Sequence, residues 1–168
     1  MSTLFVLQNV TTVSNATGNS VDIATNSGVV VAANVSVVNQ TASGSGVNIA
    51  GYGSADIEGS VYGSYALHIA GQFATSSEVR IGATGLLDAT GLNALVIGTG
   101  YYEVANAGQI VGSADGVDLD LESIGGVSAG FGGGIFTNTG LIEGAEFKVP
   151  PWGSVNPPAL AGWDSAYN

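Results

Sequence analysis

Hydrophobic and polar residues alternate with a period of two along most of the chain, and one short alternating stretch returns five times. It reads VDIA at 21–24, VNIA at 47–50, LHIA at 67–70, LVIG at 95–98 and VDLD at 117–120. In each copy the first and third residues are Val, Leu or Ile. Side chains alternate across a strand, so each copy predicts a strand with one apolar face. Stacked in register, the apolar columns make a continuous wall, and Asp22, Asn48, His68, Val96 and Asp118 make an outward ladder.

A second pattern follows the opening strand: hydrophobe, Asn, Gly, hydrophobe and then usually Gly, at two-residue steps. Val104-Asn106-Gly108-Ile110-Gly112 matches Phe136-Asn138-Gly140-Ile142-Gly144 at every step. Ala55-Ile57-Gly59-Val61-Gly63 and Ile81-Ala83-Gly85-Leu87 fit with Ile and Ala in the Asn position, and Val13-Ser14-Asn15 and Val37-Val38-Asn39 read as eroded copies. Residues 117–144 are the most complete unit, with VDLDLE, a glycine-rich turn and the second strand in sequence. Such a unit buries its apolar stripe only against another copy of itself.

Period two, abundant Val, Ile and Thr, and glycine spread throughout all argue against helix. The predicted fold is all-β: a parallel β-solenoid of about five coils over residues 21–144. Coils about 4.8 Å apart make a rod roughly 24 Å long. Residues 1–20 read as an N-terminal cap or partial coil. Residues 145–168 hold all four prolines and both tryptophans. Proline cannot donate to a ladder, so this tail reads as a cap or docking arm.

Composition narrows the partners. Glycine is 27 of 168 residues, far above the usual share of about one in fourteen, which suits a chain full of corners. Thirteen acidic residues face two basic ones, Arg80 and Lys148, for a net charge of −11. Phosphate backbones and anionic lipid surfaces are bound through Lys and Arg, so nucleic acid is excluded as a partner. Cations are the natural small partners. Cysteine is absent, which excludes disulfides and thiolate metal sites. No apolar run approaches the roughly 20 residues of a membrane helix, and no membrane insertion is expected. The stretch MSTLFVLQNV has neither a basic n-region nor a long apolar segment, so no secretory signal is read there.

The densest candidate chemistry is Asp115, Asp118, Asp120 and Glu122. Three of these carboxylates share one strand face and form a tentative Ca²⁺ site; the bland alternative is a solvated acidic face. A glycosidase acid pair is the third reading. No cofactor is required by the sequence, and no enzyme is expected: a polysaccharide-cleaving β-helix acting on acidic polymers needs a basic face that two basic residues cannot supply. Arg80 is expected to pair with Glu78 on its own strand. His68 stands in the outward ladder without a second ligand at metal spacing. The glycine run at 125–134 lacks the Lys-Ser/Thr of a phosphate loop. Asn106 and Asn138, with Asn15 and Asn39, predict a stacked amide ladder at a corner. Tyr52, Tyr62, Tyr65, Tyr101 and Tyr102 are the aromatic candidates on the coils, with Tyr101 and Tyr102 the candidate glycan-stacking pair to test, and Phe5, Trp152, Trp163 and Tyr167 are candidate assembly contacts.

The runs VANAGQIVGSADGVDLD and IFTNTGLIEG resemble the passenger repeats of bacterial autotransporter adhesins and filamentous-haemagglutinin-like surface proteins, over about residues 47–144. The resemblance implies a right-handed β-helix and an extracellular or cell-surface location in a bacterium, with a structural or adhesive role. A short rod has two open ends, so the leading expectation is a self-assembling filament or matrix subunit, a homo-oligomer or head-to-tail polymer. The alternative is an adhesin or carbohydrate-binding module with a glycan partner, and a polysaccharide-active enzyme ranks third.

Overall fold

Three strands make each coil, and every strand pairs in parallel with its counterpart in the coils above and below. The computed structural model describes residues 3–8, 11–13, 18–119, 133–144, 147–148 and 154–156. β1 (Leu4–Leu7) and β2 (Thr11–Val13) form a partial coil. β3 (Val21–Ile23), β4 (Ser27–Val31) and β5 (Ser36–Val38) complete the next, followed by β6 (Ser45–Ile49), β7 (Gly53–Ile57) and β8 (Ser60–Gly63). β9 (Tyr65–Ile81) bends round a corner to serve two faces before β10 (Leu86–Ala89), and β11 (Leu95–Asn106) does the same before β12 (Gln109–Gly112). β13 (Val117–Asp118), β14 (Gly133–Asn138) and β15 (Leu141–Glu143) follow, then β16 (Phe147–Lys148) and β17 (Ser154–Asn156).

The first face stacks β3, β6, β9, β11, β13 and β16, and the second stacks β1, β4, β7, β9, β11, β14 and β17. Because β9 and β11 run round the corner, these two faces count as one 11-stranded sheet. The third face is a six-stranded sheet of β2, β5, β8, β10, β12 and β15. The chain is therefore an all-β parallel β-solenoid, with no helix among the described residues. Four coils, over residues 21–112, are described throughout; the fifth contains residues 120–132, which lie outside the description.

The first face follows the predicted register at every step: Val21, Val47, Leu67, Leu95 and Val117 stack, as do Asp22, Asn48, His68, Val96 and Asp118. The Asn-Gly pattern needs two corrections. It is not one strand: it spans the second and third faces and the corner between them. Ile57 pairs with Ile81, and Ile81 with Asn106, so Ile81 stands in the Asn column and not one step earlier. Val37 pairs with Val61 on the third face, so the eroded copy at 37–39 belongs there. The bend is invisible to periodicity because Val61 follows Ile57, and Ile110 follows Asn106, by four positions. An even count keeps the same side inward on both sides of the corner.

Inward columns fill the rod. Val29, Ala55, Val79, Val104 and Phe136 stack on the second face, each 2% exposed or less. Val37, Val61, Leu87 and Ile110 stack on the third, all at 0%. Burying each such side chain contributes roughly 1.5–3 kcal/mol before entropy is counted.

The corners are built by different means. At the second corner Gly59, Gly85, Gly108 and Gly140 stack, and a Cβ on any of them would run into backbone carbonyl oxygen: that of Val35, Ile57, Gly85 and Gly108 respectively. Asn106 and Asn138 hold the same corner. Each accepts the backbone N–H two residues on, from Gly108 at 3.1 Å and Gly140 at 3.2 Å. Asn106 Nδ2 also donates to Asn138 Oδ1 at 2.7 Å, so the predicted amide ladder exists at this pair. Asn39 is at another corner, where its buried amide donates to Gly18 and Ser45 carbonyls and accepts from Thr41; Asn15 lies outside the described residues. The first corner varies in length, with a register shift between Thr99 and Tyr101 opposite Gly71 and Ser76. Gly71 (φ 71°) and Gly100 (φ 117°) adopt the left-handed conformations there that glycine accommodates without strain.

Past Gly144 the ladders continue. Phe147 and Lys148 pair with Val117 and Asp118, and residues 154–156 pair with residues 135–137. The prolines stand outside these two short strands, as their missing N–H requires.

Candidate functional site

The first described strand exposes what the middle of the rod buries. Phe5 pairs with Val29 at the head of the inward second-face column, yet it is 41% exposed because no described strand lies beneath it. Its outward neighbours Leu4 and Val6 are 61% and 50% exposed. At the opposite end β17 is the last strand of the same face, with Val155 in the Phe5 column and Ser154 in the Leu4 column. An edge strand with apolar side chains is a template for pairing with another chain. Of the four predicted assembly contacts, Phe5 is placed at an end; Trp152, Trp163 and Tyr167 lie outside the described residues.

The acidic cluster divides. Asp118 occupies the outward ladder of the first face, and Asp115 is buried at the corner before it, 8% exposed. Both are held by Asn93, whose Nδ2 donates to Asp118 Oδ2 at 2.9 Å and whose Oδ1 accepts the Asp115 N–H at 3.2 Å. Asp120 and Glu122 lie outside the described residues. Among the described residues no three His, Asp or Glu side chains come close enough to hold a metal.

Upstream in the same ladder Asn48 Nδ2 donates to Asp22 Oδ1 at 2.9 Å, and His68 Nδ1 lies 2.8 Å from Asn48 Oδ1. Because the Asn48 nitrogen faces a carboxylate, its oxygen faces the imidazole, which must then carry its proton on Nδ1. His68 is half-buried and stacks at a tilt 5.9 Å from Tyr65, so it is a structural rung, in place of the exposed histidine the sequence suggested. Arg80 also departs from expectation. It pairs with Asp56 at 2.9 Å and Glu58 at 3.1 Å in the coil below, and not with Glu78. Neighbours across a parallel ladder lie closer than residues two apart on one strand. At 56% exposure the Arg80 pairs contribute about 1 kcal/mol at most.

The two candidate glycan-stacking tyrosines face opposite ways. Tyr101 is 56% exposed, whereas Tyr102 is 4% exposed with its hydroxyl buried and without a hydrogen-bond partner. Adjacent residues of a strand must point apart, and Tyr102 takes the inward position beside Gly134, where a Cβ would strike its ring. Burial raises the Tyr102 pKa to about 12. The folded chain therefore holds a proton that the unfolded chain releases above pH 10, and stability falls as pH rises from 10 to 12. Tyr102→Phe is expected to gain about 1 kcal/mol near neutral pH by removing the unsatisfied hydroxyl, and to lose less stability than wild type over that alkaline interval. Urea melts at pH 7, 10 and 11.5 check both.

The fold and its ends define a parallel β-solenoid whose exposed chemistry is concentrated at its termini and along its outward columns. No family model matches the chain, and no match was found among curated proteins or among solved structures.

Proposed function

We propose that this protein is a structural, self-assembling subunit of a bacterial surface or extracellular filament or matrix, its rods joining head to tail. The observation that carries the reading is Phe5, a core-column residue 41% exposed on β1, the edge strand of the second face among the described residues. The strand that would cover it is β17 of a second copy. Continuing the column order places Ser154 beside Leu4, Val155 beside Phe5 and Asn156 beside Val6 of the neighbour. A head-to-tail contact of this kind is heterologous and propagates into a fibre. With an excess of carboxylates on every copy, divalent cations and salt would ease the approach of subunits. The resemblance to passenger repeats of surface adhesins supports the same setting.

The absence of cysteine makes the test clean. Within one chain Leu4 and Ser154 are six rungs apart, about 29 Å, too far for an internal disulfide. Leu4→Cys with Ser154→Cys, oxidised and run without reductant, is expected to give a ladder of multimers. Leu4→Cys with Asn156→Cys, two residues out of register, is expected to cross-link far less. Phe5→Asp should leave monomers on size-exclusion chromatography. A wild-type chain that stays monomeric on the column and by electron microscopy, with and without Ca²⁺, would overturn the proposal.

A further inference from the structure

We propose a second site: a groove for a neutral oligosaccharide along the first corner of the rod, which begins at Thr3 and Leu4 of the edge strand β1. An open cleft of about 360 Å³ crosses the partial coil and the first three full coils at equivalent positions, within the range of about 300–1,000 Å³ typical of small-molecule sites. One wall is the outward column Gly28, Ser54 and Glu78, which pair in register; the other carries Asn26, half-buried Tyr52 and Ser76. Ser27 and Gly53 lie between them. Coil four ends the run, because Tyr101, with its large exposed ring, pairs with Ser76.

Gly28 forms the floor of the groove, buried beneath the side chains of Leu4 and Ser54. A Cβ there would meet Ser54 Oγ at 2.5 Å and Leu4 Cδ1 at 3.1 Å and push both out of place. Asn26 turns the corner at φ 58°, a left-handed conformation that Asn adopts more readily than most residues. The lining chemistry then selects the ligand class. Hydroxyls of Ser54 and Ser76, the Asn26 amide and the Glu78 carboxylate can donate to or accept from sugar hydroxyls, and the Tyr52 ring offers an apolar surface to the C–H face of a pyranose. No lining residue is basic, so anionic polymers are disfavoured.

Repeat length separates a saccharide from a peptide. The polar groups recur once per coil, about every 4.8 Å, which is close to the length of one sugar ring in an extended chain, whereas an extended peptide advances about 3.3 Å per residue and falls out of step with the rungs.

The test is titration calorimetry of the full chain with neutral gluco-, galacto-, manno- and N-acetylglucosamine oligomers, alongside a sulfated oligomer, a cationic glucosamine oligomer and an extended neutral peptide. At least one neutral oligomer is expected to bind with Kd below about 1 mM. Tyr52→Ala and Gly28→Val should each weaken that binding at least tenfold, while Tyr62→Ala, on the third face, leaves it within twofold. Circular dichroism identifies a variant that fails to fold, and Tyr52→Ala, which removes atoms from a half-exposed ring, then carries the test alone. Absence of neutral-oligomer binding, equal binding of the peptide or a charged oligomer, or binding unaltered by Tyr52→Ala overturns the proposal. Because Leu4 belongs both to the groove and to the proposed contact between copies, the titration is repeated on Phe5→Asp, whose oligomeric state is read by chromatography; neutral-oligomer binding retained there separates the groove from assembly.

Discussion

Replacing Phe136 with alanine is expected to cost about 3–5 kcal/mol. Phe136 is among the largest fully buried side chains, 0% exposed, and it stands between Val104 and Val155 in the column that Phe5 heads. Parallel ladders fix the strand spacing on either side, so the coils cannot collapse into the space vacated, and the cavity term adds to the lost burial. Chemical denaturation of the two chains is the measurement. Phe136→Leu, which keeps most of the volume, should recover more than half of the loss. Equal stability of wild type and Phe136→Ala would mean that the fifth coil does not pack on the fourth.

Gly108→Ala is expected to be nearly as damaging, about 3 kcal/mol, although it adds only a single methyl group, at a buried position of the corner. The added Cβ would collide with the carbonyl oxygens of Gly85 and Gly82 and come within 2.9 Å of Ile81 Cγ2. Two of those three neighbours are backbone, held by ladder hydrogen bonds on both sides, and have no rotamer by which to retreat. The neighbouring exposed position supplies the control: Ala107→Ser should stay within about 0.5 kcal/mol of wild type. Thermal or urea melts of the pair separate a packing collision from a general intolerance of the corner.

How much of this was legible in the sequence follows from what each contact depends on. Val21, Val47, Leu67, Leu95 and Val117 stack as their spacing implies, because period two and a fixed inward face leave one workable register. The Asn and Gly columns were legible as a repeat but not as a corner, since an even-numbered bend preserves alternation. Ile81 reads one step early for the same reason: Leu87 follows Ile81 by six positions where Ile110 follows Asn106 by four. Contacts between coils were the least legible. Arg80 meets Asp56 and Glu58, more than 20 residues back, and the rungs of the groove at Gly28, Ser54 and Glu78 share no motif. Only the register brings them together. Tyr102 could have been assigned inward from its strand parity alone, since Val104 and Asn106 follow it on the buried side. The expected assembly residues of the tail and two members of the acidic cluster lie outside the described residues.

The uneven first corner has a consequence for how such a rod changes with time. Between paired positions on its two sides, four residues separate Gly71 from Ser76 where one separates Thr99 from Tyr101. Insertions are absorbed at this seam without disturbing either face. The second corner varies only in steps of two, four positions from Ile57 to Val61 and six from Ile81 to Leu87, and the third holds six residues between Val38 and Ser45 where two lie between Tyr62 and Tyr65. Variation and engineering therefore have the corners to work with and not the faces. A foreign peptide grafted at the seam would ride on the outside of the wall as cargo while the pitch and cross-section of the rod stay as they are.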